Sequence, residues 1–268
     1  MEELLKKYEE LKKYIASFGS VGVAFSGGVD STFLLYAAKE ALPGKVAAVT
    51  AKLAAVPDRE VSEAVDYCKM WEIPHTIYSI DALTIPHFSE NPADRCYYCK
   101  HAIFSTLIAA AKEQGMAEVA EGSNLDDMGD YRPGLRAIAE LAVKSPLKQC
   151  GFTKAEIYQM SEYLGLPTAK KPSFACLATR IPYGDEITEQ KLAMIDQAEQ
   201  LLVDLGFEQM RVRLHGDMAR IELLPRDFER FMQPAVREKI YETFKEIGFS
   251  YVSLDIRGYR TGSMNEVL

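Results

Sequence analysis

The chain has 268 residues, 48% of them apolar and 26% charged, which is the composition of a globular protein with room for two modest domains. Lys and Arg total 31 against 39 Asp and Glu, a net charge of −8, and this balance argues against a nucleic-acid partner. The absence of a long apolar run argues against a membrane span, so we expect a cytoplasmic protein with no membrane partner.

Strands and helices alternate along the first two thirds of the chain. Apolar residues between Leu4 and Phe18 recur at helical spacing, which predicts an amphipathic first helix. Further predicted helices begin near residues 31, 57 and 93, and predicted strands begin near residues 21, 45, 75 and 116. This alternation predicts an α/β fold with a doubly wound parallel sheet, which binds its ligand beyond the carboxyl ends of the strands.

The pattern changes after Pro182-Tyr183-Gly184. We predict a helix over 188–206, a hairpin of 209–214 and 218–224 around Gly216-Asp217, a helix over 227–247 and a strand over 251–255. These elements form a smaller α+β domain. The predicted division is therefore a first domain over 1–184 and a second over 185–268, and we assign substrate binding and oligomerisation to the second.

Ser26-Gly27-Gly28-Val29-Asp30-Ser31 lies between the first strand and the second helix. Two glycines permit a tight turn whose N–H groups point to one spot, at a helix N-terminus that favours an anion. The hydroxyls of Ser26 and Ser31 add donors, and Asp30 is suited to hold a magnesium ion that bridges phosphate oxygens. An ordinary glycine-rich turn is the alternative.

The string SGGVDS resembles the PP-loop of the ATP pyrophosphatases, which cleave ATP between the α- and β-phosphates. No GxxxxGK[ST] motif occurs in the chain. The resemblance implies ATP as co-substrate and Mg²⁺ as cofactor, and it implies a PP-loop fold. Two further strand ends, at Thr50 and Gly122, reach the same sheet edge and are predicted to contact ATP.

Cys96 and Cys99 form a CxxC pair, and Cys176 lies far along the chain. Residues three apart share one face of a helix, so this pair is suited to one metal centre. Three thiolates are one fewer than a closed zinc site has, but they suit a four-iron cluster with one open iron. A zinc half-site, a redox pair and a chance occurrence are the alternatives. Cys68 and Cys150 receive no functional role.

Several blocks along the chain together resemble the LarE family, the ATP-dependent sulfur transferases of nickel-pincer nucleotide biosynthesis. The blocks are AFSGGVDST, DRCYYCK, GDYRPG, SPL, KAEIYQMSEYLGLP, ACLATRIPYG, RVRLHGDMARIEL and LDIRGYRTGSMNE. The resemblance implies adenylation and thiolation of the carboxylates of pyridinium-3,5-biscarboxylic acid mononucleotide. It also implies a homo-oligomer, often a hexamer, and a sulfide donor. With Cys96, Cys99 and Cys176, the chain resembles the family members whose three cysteines hold a [4Fe-4S] cluster. Other family members have a single cysteine, at the position that resembles Cys176, and give up its sulfur to the product.

Arg211 and Arg213 alternate by two on a predicted strand, so their guanidinium groups face one side. Such a pair suits a phosphate, and the resemblance implies that it holds the substrate's phosphate. Arg180 is a candidate to bind AMP or the substrate, and Glu199 and Glu222 are candidate partner carboxylates.

Three other functions stay open at this level. A PP-loop tRNA thiolase also uses three cysteines, although the acidic net charge argues against it. An ammonia-using PP-loop synthetase would make the cysteines incidental, and a non-catalytic nucleotide or iron–sulfur carrier would not turn over ATP.

Overall fold

The computed structural model describes residues 1–129, 133–172 and 175–267, and the chain divides into two compact units. The first unit comprises Met1–Ile85 and Asp94–Ser173, and the second comprises Pro86–Ala93 and Phe174–Leu268. This division lies earlier than the boundary at residue 184 that the sequence predicts. The amide of Asn91 donates to the carbonyls of Pro182 (2.6 Å) and Asp185 (3.0 Å), which explains why the segment before residue 184 belongs to the second unit.

A four-stranded parallel sheet forms the centre of the first unit, in the order β3-β2-β1-β4. Its strands are β1 (Val21–Ala24), β2 (Val46–Lys52), β3 (His75–Ser79) and β4 (Glu118–Ala120). Val21 of β1 is paired with Val46 on one side and Glu118 on the other. The predicted α/β class with a parallel sheet is thereby confirmed.

Helices follow and flank the strands of this sheet. They are α1 (Glu2–Ala16), α2 (Val29–Ala41), α3 (Asp58–Met70), α4 (Arg95–Glu113), α5 (Gly134–Glu140), α6 (Pro146–Gln149) and α7 (Lys154–Tyr163), with 3-10 turns at Ala82–Thr84 and Leu125–Gly129. The predicted amphipathic first helix is confirmed, since Leu4, Tyr8, Leu11 and Ile15 of α1 are buried in the core. Among the described residues, no helix has the length and apolar composition needed to cross a lipid bilayer.

The second unit is built on a three-stranded sheet in the order β5-β6-β7. Its elements are α8 (Glu189–Asp204), β5 (Met210–His215), β6 (Met218–Leu223), α9 (Phe228–Phe231), α10 (Pro234–Ile247) and β7 (Tyr251–Leu254), with 3-10 turns at Leu177–Arg180, Pro225–Asp227 and Ser263–Val267. The hairpin of β5 and β6 is confirmed as antiparallel, and β7 pairs with β6 in parallel. Helix α8 packs on β5 and α10 packs on α8.

One predicted element of this unit is wrong. The single helix expected over 227–247 is instead a 3-10 turn followed by the two helices α9 and α10. Pro234 is the first residue of α10, and Gln233 before it has ψ of 132°. Because proline lacks an N–H and disfavours the helical conformation of the residue before it, a new helix begins there.

Candidate functional site

The turn between β1 and α2 is closed by the two serines that flank its glycines. The Ser26 N–H donates to Ser31 Oγ (3.3 Å), and the Ser31 hydroxyl donates to the Gly28 carbonyl (3.1 Å). Gly27 has φ of +70°, a conformation that favours glycine. Helix α2 begins directly after Gly28, and the N–H groups of its first turn have no partner within the helix. The turn therefore has the geometry of an anion site.

A cavity of about 360 Å³ opens above this turn at the carboxyl edge of the sheet. Its polar lining comes from the turn and the neighbouring strand ends: Ser26, Gly28, Asp30, Ser31, Thr50, Glu121, Gly122, Ser123 and Asp127. Its apolar lining includes Leu53, Val56, Val61, Ile103, Phe104 and Leu107. Lys100 of α4 supplies a cation. A polar end beside an apolar end suits a nucleotide, with the phosphates over the turn and the base among the aliphatic side chains.

Asp30, the predicted magnesium ligand, lies in this cavity and is bound by two neighbours. Lys154 Nζ, at the start of α7, lies 2.5 Å from Asp30 Oδ2, and Asn124 Nδ2 lies 3.4 Å from Asp30 Oδ1. The carboxylate is thus partly neutralised by an ammonium group, which sits where a divalent cation would also be attracted.

Gly122, the predicted contact at the end of β4, approaches the first turn of α2 closely. A Cβ atom at this position would lie 3.0 Å from the Ser31 nitrogen and 3.2 Å from the Asp30 carbonyl carbon. Both of these are backbone atoms, which cannot easily move aside. Any larger residue would push the loop after β4 away from α2, so glycine lets this loop form one wall of the cavity.

Thr50, at the end of β2, uses its side chain within the protein. Its hydroxyl donates to the Phe25 carbonyl (2.6 Å) and lies 2.7 Å from His75 Nε2. Because its single proton goes to Phe25, His75 must donate from Nε2. Burial lowers the pKa of His75, which favours the neutral ring with its proton on Nε2. Any contact of Thr50 with a base is therefore left to its backbone.

The cysteines of the CxxC pair both lie on α4, in the helix predicted to begin near residue 93, and both are half-buried. Cys176 belongs to the second unit, where it is exposed just before the 3-10 turn Leu177–Arg180. All five cysteines lie among the described residues and none forms a disulfide. Within each unit, the described residues contain no group of three His, Cys, Asp or Glu side chains placed to hold a metal ion.

In the second unit, Arg180 is fully buried against Glu199 of α8. The guanidinium donates from Nε to Glu199 Oε1 (2.8 Å) and from Nη2 to Oε2 (2.9 Å), a bidentate pair. Its Nη1 donates to the carbonyls of Ala175 (2.8 Å) and Cys176 (3.1 Å). These contacts favour a positioning role for Arg180, which holds the segment that carries Cys176, over the ligand contact expected from its sequence.

Glu199 is also bound by the Val212 N–H, which donates to its Oε1 at 3.0 Å. Burial alone would raise the pKa of Glu199, but the charge and hydrogen bonds of Arg180 outweigh burial and hold this pKa below its usual value. Glu199 therefore stays ionised and joins α8, the hairpin and the Cys176 segment.

Arg213 and Glu222 form a second buried pair on the hairpin. Arg213 Nη2 donates to Glu222 Oε2 (2.8 Å) and Nη1 donates to the Thr179 carbonyl (3.0 Å). Arg220 Nη2 also donates to Glu222, at 3.1 Å. No described atom accepts a hydrogen bond from Arg213 Nε, a buried donor. An anion placed here would supply the missing acceptor.

Arg211 lies on the same face of β5, opposite Glu222 in the strand register. Its Nη1 donates to the Met210 carbonyl (2.6 Å), and its guanidinium lies 5.1 Å from the centre of the Tyr259 ring. Burial, followed by the charge of Arg180, lowers the pKa of Arg211 to about 10. Arginine charges held this close together attract anions.

Sequence reasoning did not single out three residues that the cavity and Asp30 bring together: Lys100, Asp127 and Lys154. A sequence pattern existed for Lys154. Thr153 and Glu156 form a capping box, which is readable as T-x-x-E and places Lys154 in the first turn of a helix. Lys100 had no signal, because only the packing of α4 decides which of its side chains faces the cavity.

Comparisons with known proteins agree with this geometry. The family model described as asparagine synthase matches residues 8–96, which include the turn at Ser26–Ser31. The chain is 34% identical to the pyridinium-3,5-bisthiocarboxylic acid mononucleotide synthase of Lactiplantibacillus plantarum, over 100% of this chain and 97% of that protein. It is 38% identical to the uncharacterized protein slr1717 of Synechocystis sp., over 99% of both chains.

A shorter similarity covers less than half of the chain. The tRNA(Ile)-lysidine synthase of Polaromonas naphthalenivorans is 38% identical over 110 residues, which is 40% of this chain and 32% of that one. The full-length similarity to the mononucleotide synthase carries the assignment. This chain belongs to the LarE family of ATP-dependent PP-loop enzymes.

Proposed function

We propose that this chain is a sulfur transferase that adenylates the carboxylates of pyridinium-3,5-biscarboxylic acid mononucleotide and replaces oxygen by sulfur, in nickel-pincer nucleotide biosynthesis. The observation that carries this proposal is the full-length similarity to a synthase whose name states the thiolated product. A nucleotide-sized cavity over the turn at Ser26–Ser31 supports the ATP-dependent half of the reaction.

In the first half of the reaction, ATP binds with its phosphates over Ser26, Gly27, Gly28 and Ser31 and its base among the apolar side chains. Asp30 is the residue that would hold Mg²⁺, and the metal would supply positive charge to the phosphates. A substrate carboxylate oxygen attacks the α-phosphorus and pyrophosphate leaves. The product of this step is an acyl-adenylate, whose AMP group is a far better leaving group than oxide.

In the second half, a sulfur nucleophile attacks the acyl carbon and AMP departs. Cys96, Cys99 and Cys176 are the residues that would hold a [4Fe-4S] cluster, and three thiolates are the donor set that leaves one iron open. When bound, the cluster supplies that open position for a sulfide. The chain's own contribution here is to hold Cys176, through the bonds from Arg180 to the carbonyls of Ala175 and Cys176.

The substrate's phosphate is assigned to Arg211 and Arg213. The unpaired Arg213 Nε and the lowered pKa of Arg211 both support an anion at this position. The carboxylates of Glu199 and Glu222 are already bound by arginines, so we assign them to holding those arginines in place.

The test is turnover under strict anaerobiosis with MgATP, sulfide and the pyridinium dicarboxylate mononucleotide, followed by product analysis and intact protein mass. Wild type is expected to form thiolated product over several turnovers with unchanged protein mass. Asp30→Ala should abolish pyrophosphate release, whereas Cys96→Ala should release pyrophosphate but form no thiolated product. Loss of the elements of H₂S from the protein would make Cys176 a sacrificial donor. If no thiolated product formed, the substrate assignment would be wrong and tRNA would be tested next.

The remaining parts of the proposal come from the family resemblance. They are a sulfide donor as partner, a homo-oligomeric state, by resemblance a hexamer, and a cytoplasmic location. Size-exclusion chromatography with light scattering would measure the oligomeric state directly.

A further inference from the structure

Lys171 lies beside the glycine turn and is not part of the cavity lining. Its ammonium group donates to the Gly27 carbonyl (3.1 Å), to Glu60 Oε2 (2.8 Å) and to Glu63 Oε2 (2.5 Å). An ammonium group has three N–H donors, and three acceptors surround this one. The side chain is only 11% exposed. Lys171 thus joins the turn to α3.

The backbone of Lys171 is itself held at both of its polar groups. Its N–H donates to the Thr168 carbonyl (3.0 Å), and its carbonyl accepts from the Tyr158 hydroxyl of α7 (3.1 Å). Fixing a long flexible side chain costs conformational entropy. Because the backbone of Lys171 is already fixed, only the entropy of its side chain is lost when the ammonium group binds. Lys171 is therefore preorganised to hold Gly27 in one orientation.

That orientation matters because it sets the direction of the next N–H. The structure contains no cis peptide among its described residues, so the Gly27 carbonyl and the Gly28 N–H point in opposite directions across one planar peptide. Lys171 holds the carbonyl on the α3 side, which directs the Gly28 N–H away from α3. Gly28 lines the cavity, and its N–H makes a long contact of 3.4 Å with Ser26 Oγ.

The turn also lies close to α3 at the same point. A Cβ atom on Gly27 would lie 3.2 Å from the Glu60 carbonyl oxygen and 3.4 Å from Ala64 Cβ. Lys171 therefore reinforces an existing close approach between turn and helix. Two carboxylates surround one ammonium, so the group has no excess positive charge to offer a phosphate, which argues for positioning rather than direct binding.

We propose that Lys171 is the positioning residue of the phosphate-binding turn: it fixes the peptide between Gly27 and Gly28 so that the Gly28 N–H faces the nucleotide phosphates. This inference rests on the proposed binding of MgATP at the turn. It predicts that Lys171 governs the affinity for the phosphates of the nucleotide and leaves the affinity for its nucleoside part unchanged.

The experiment compares the affinities of MgATP and adenosine by calorimetry for wild type, Lys171→Met and the matched control Lys170→Met, which changes an exposed neighbour. We expect Lys171→Met to lower the affinity for MgATP by about tenfold, which is the typical contribution of one hydrogen bond to an ionic group. The affinity for adenosine should fall by less than about twofold. Lys170→Met should match wild type for both ligands. Unchanged MgATP affinity in Lys171→Met, or equal losses for the two ligands, would overturn the inference.

Lys171→Met leaves the buried Glu60 carboxylate unpaired, so it is accompanied by Lys171→Met/Glu60→Gln, which removes the charges of Lys171 and Glu60. The remaining carboxylate, Glu63, has a side chain that is 43% exposed and is solvated by water. The double variant should recover thermal stability while its MgATP affinity stays low, because Gly27 still lacks its donor. Recovery of MgATP affinity together with stability would show a merely structural role and overturn the inference. Failure of the proposed function looks different: wild type and Asp30→Ala would then bind MgATP equally.

Discussion

Lys154 Nζ contacts Asp30 Oδ2 at 2.5 Å across 124 residues of sequence, and Asp30 lines the cavity that lies over the glycine turn. The two side chains are 30% and 27% exposed. The contact places the ammonium group of Lys154 beside Asp30, the predicted magnesium ligand. Asp30 would hold Mg²⁺, and the ammonium group of Lys154 beside it would supply a second positive charge for the nucleotide phosphates.

Lys154→Met is expected to raise the KM for MgATP in pyrophosphate release by about tenfold, because one charge-assisted contact to a phosphate is lost. Measurement of pyrophosphate release against MgATP concentration checks this. Lys112→Met, on the exposed last turn of α4, is the matched control and should leave KM unchanged. An unaltered KM in Lys154→Met would show that the ion pair with Asp30 has no part in nucleotide binding.

Gly122→Ala is expected to weaken MgATP binding severalfold without a large loss of stability. The added methyl group would lie 3.0 Å from the Ser31 nitrogen, so the loop after β4 must move away from α2. Such a shift widens the cavity at the phosphates. Calorimetric titration with MgATP and a parallel thermal melt check the two parts. Wild-type affinity in the variant would mean that the loop moves without affecting the nucleotide.

Arg180→Met is expected to destabilise the protein by about 3–5 kcal/mol, because it leaves the fully buried Glu199 carboxylate without its partner. Urea unfolding followed by circular dichroism measures the loss. The double variant Arg180→Met/Glu199→Gln should be more stable than the single one, since no buried charge is then unpaired.

The control for this pair is the exposed ion pair between Arg226 and Glu208, whose side chains are 67% and 75% exposed. Arg226→Met should cost at most about 1 kcal/mol. If both arginine variants lost equal stability, burial of the Arg180 pair would not be the cause.

The parts of the site that sequence predicted well depend on short-range patterns. An apolar strand, a glycine turn and a helix start specify the geometry of Ser26–Ser31 locally, and the period of two places Arg211 and Arg213 on one strand face. The roles of Lys171 and Lys154 were not predicted, because Gly27 and Asp30, which they contact, lie 144 and 124 residues away in the chain. No local sequence pattern encodes such a contact.

Arg180 also shows that local sequence does not determine long-range packing. Its position beside Cys176 was readable, but whether its guanidinium faces a ligand or a carboxylate depends on how α8 packs against the hairpin. The structure places Glu199 of α8 directly on it. Sequence therefore identified Arg180 and Glu199 separately as candidates, and only the packing of α8 shows that they bind each other.

The stability of the first unit should depend on pH through His75. Burial lowers the pKa of His75, while in the unfolded chain the ring titrates near its ordinary value of about 6.5. Between the two pKa values the unfolded state binds more protons, so the unfolding free energy falls as pH falls. The stabilisation is therefore present above about pH 6.5 and is lost as pH drops through the folded pKa.

His75→Gln should flatten this dependence below about pH 6.5, because its amide does not titrate and still can donate to Thr50 Oγ1. The chain has one tryptophan, Trp71, which is buried in the first unit. Urea unfolding followed by its fluorescence therefore reports on the unit that contains His75 and not on His215, which lies in the second unit. His101→Gln, also in the first unit, is the control and should retain the wild-type slope, because its ring is not part of this buried contact. A slope in His75→Gln equal to that of wild type would assign the acid sensitivity of the first unit to its carboxylates instead.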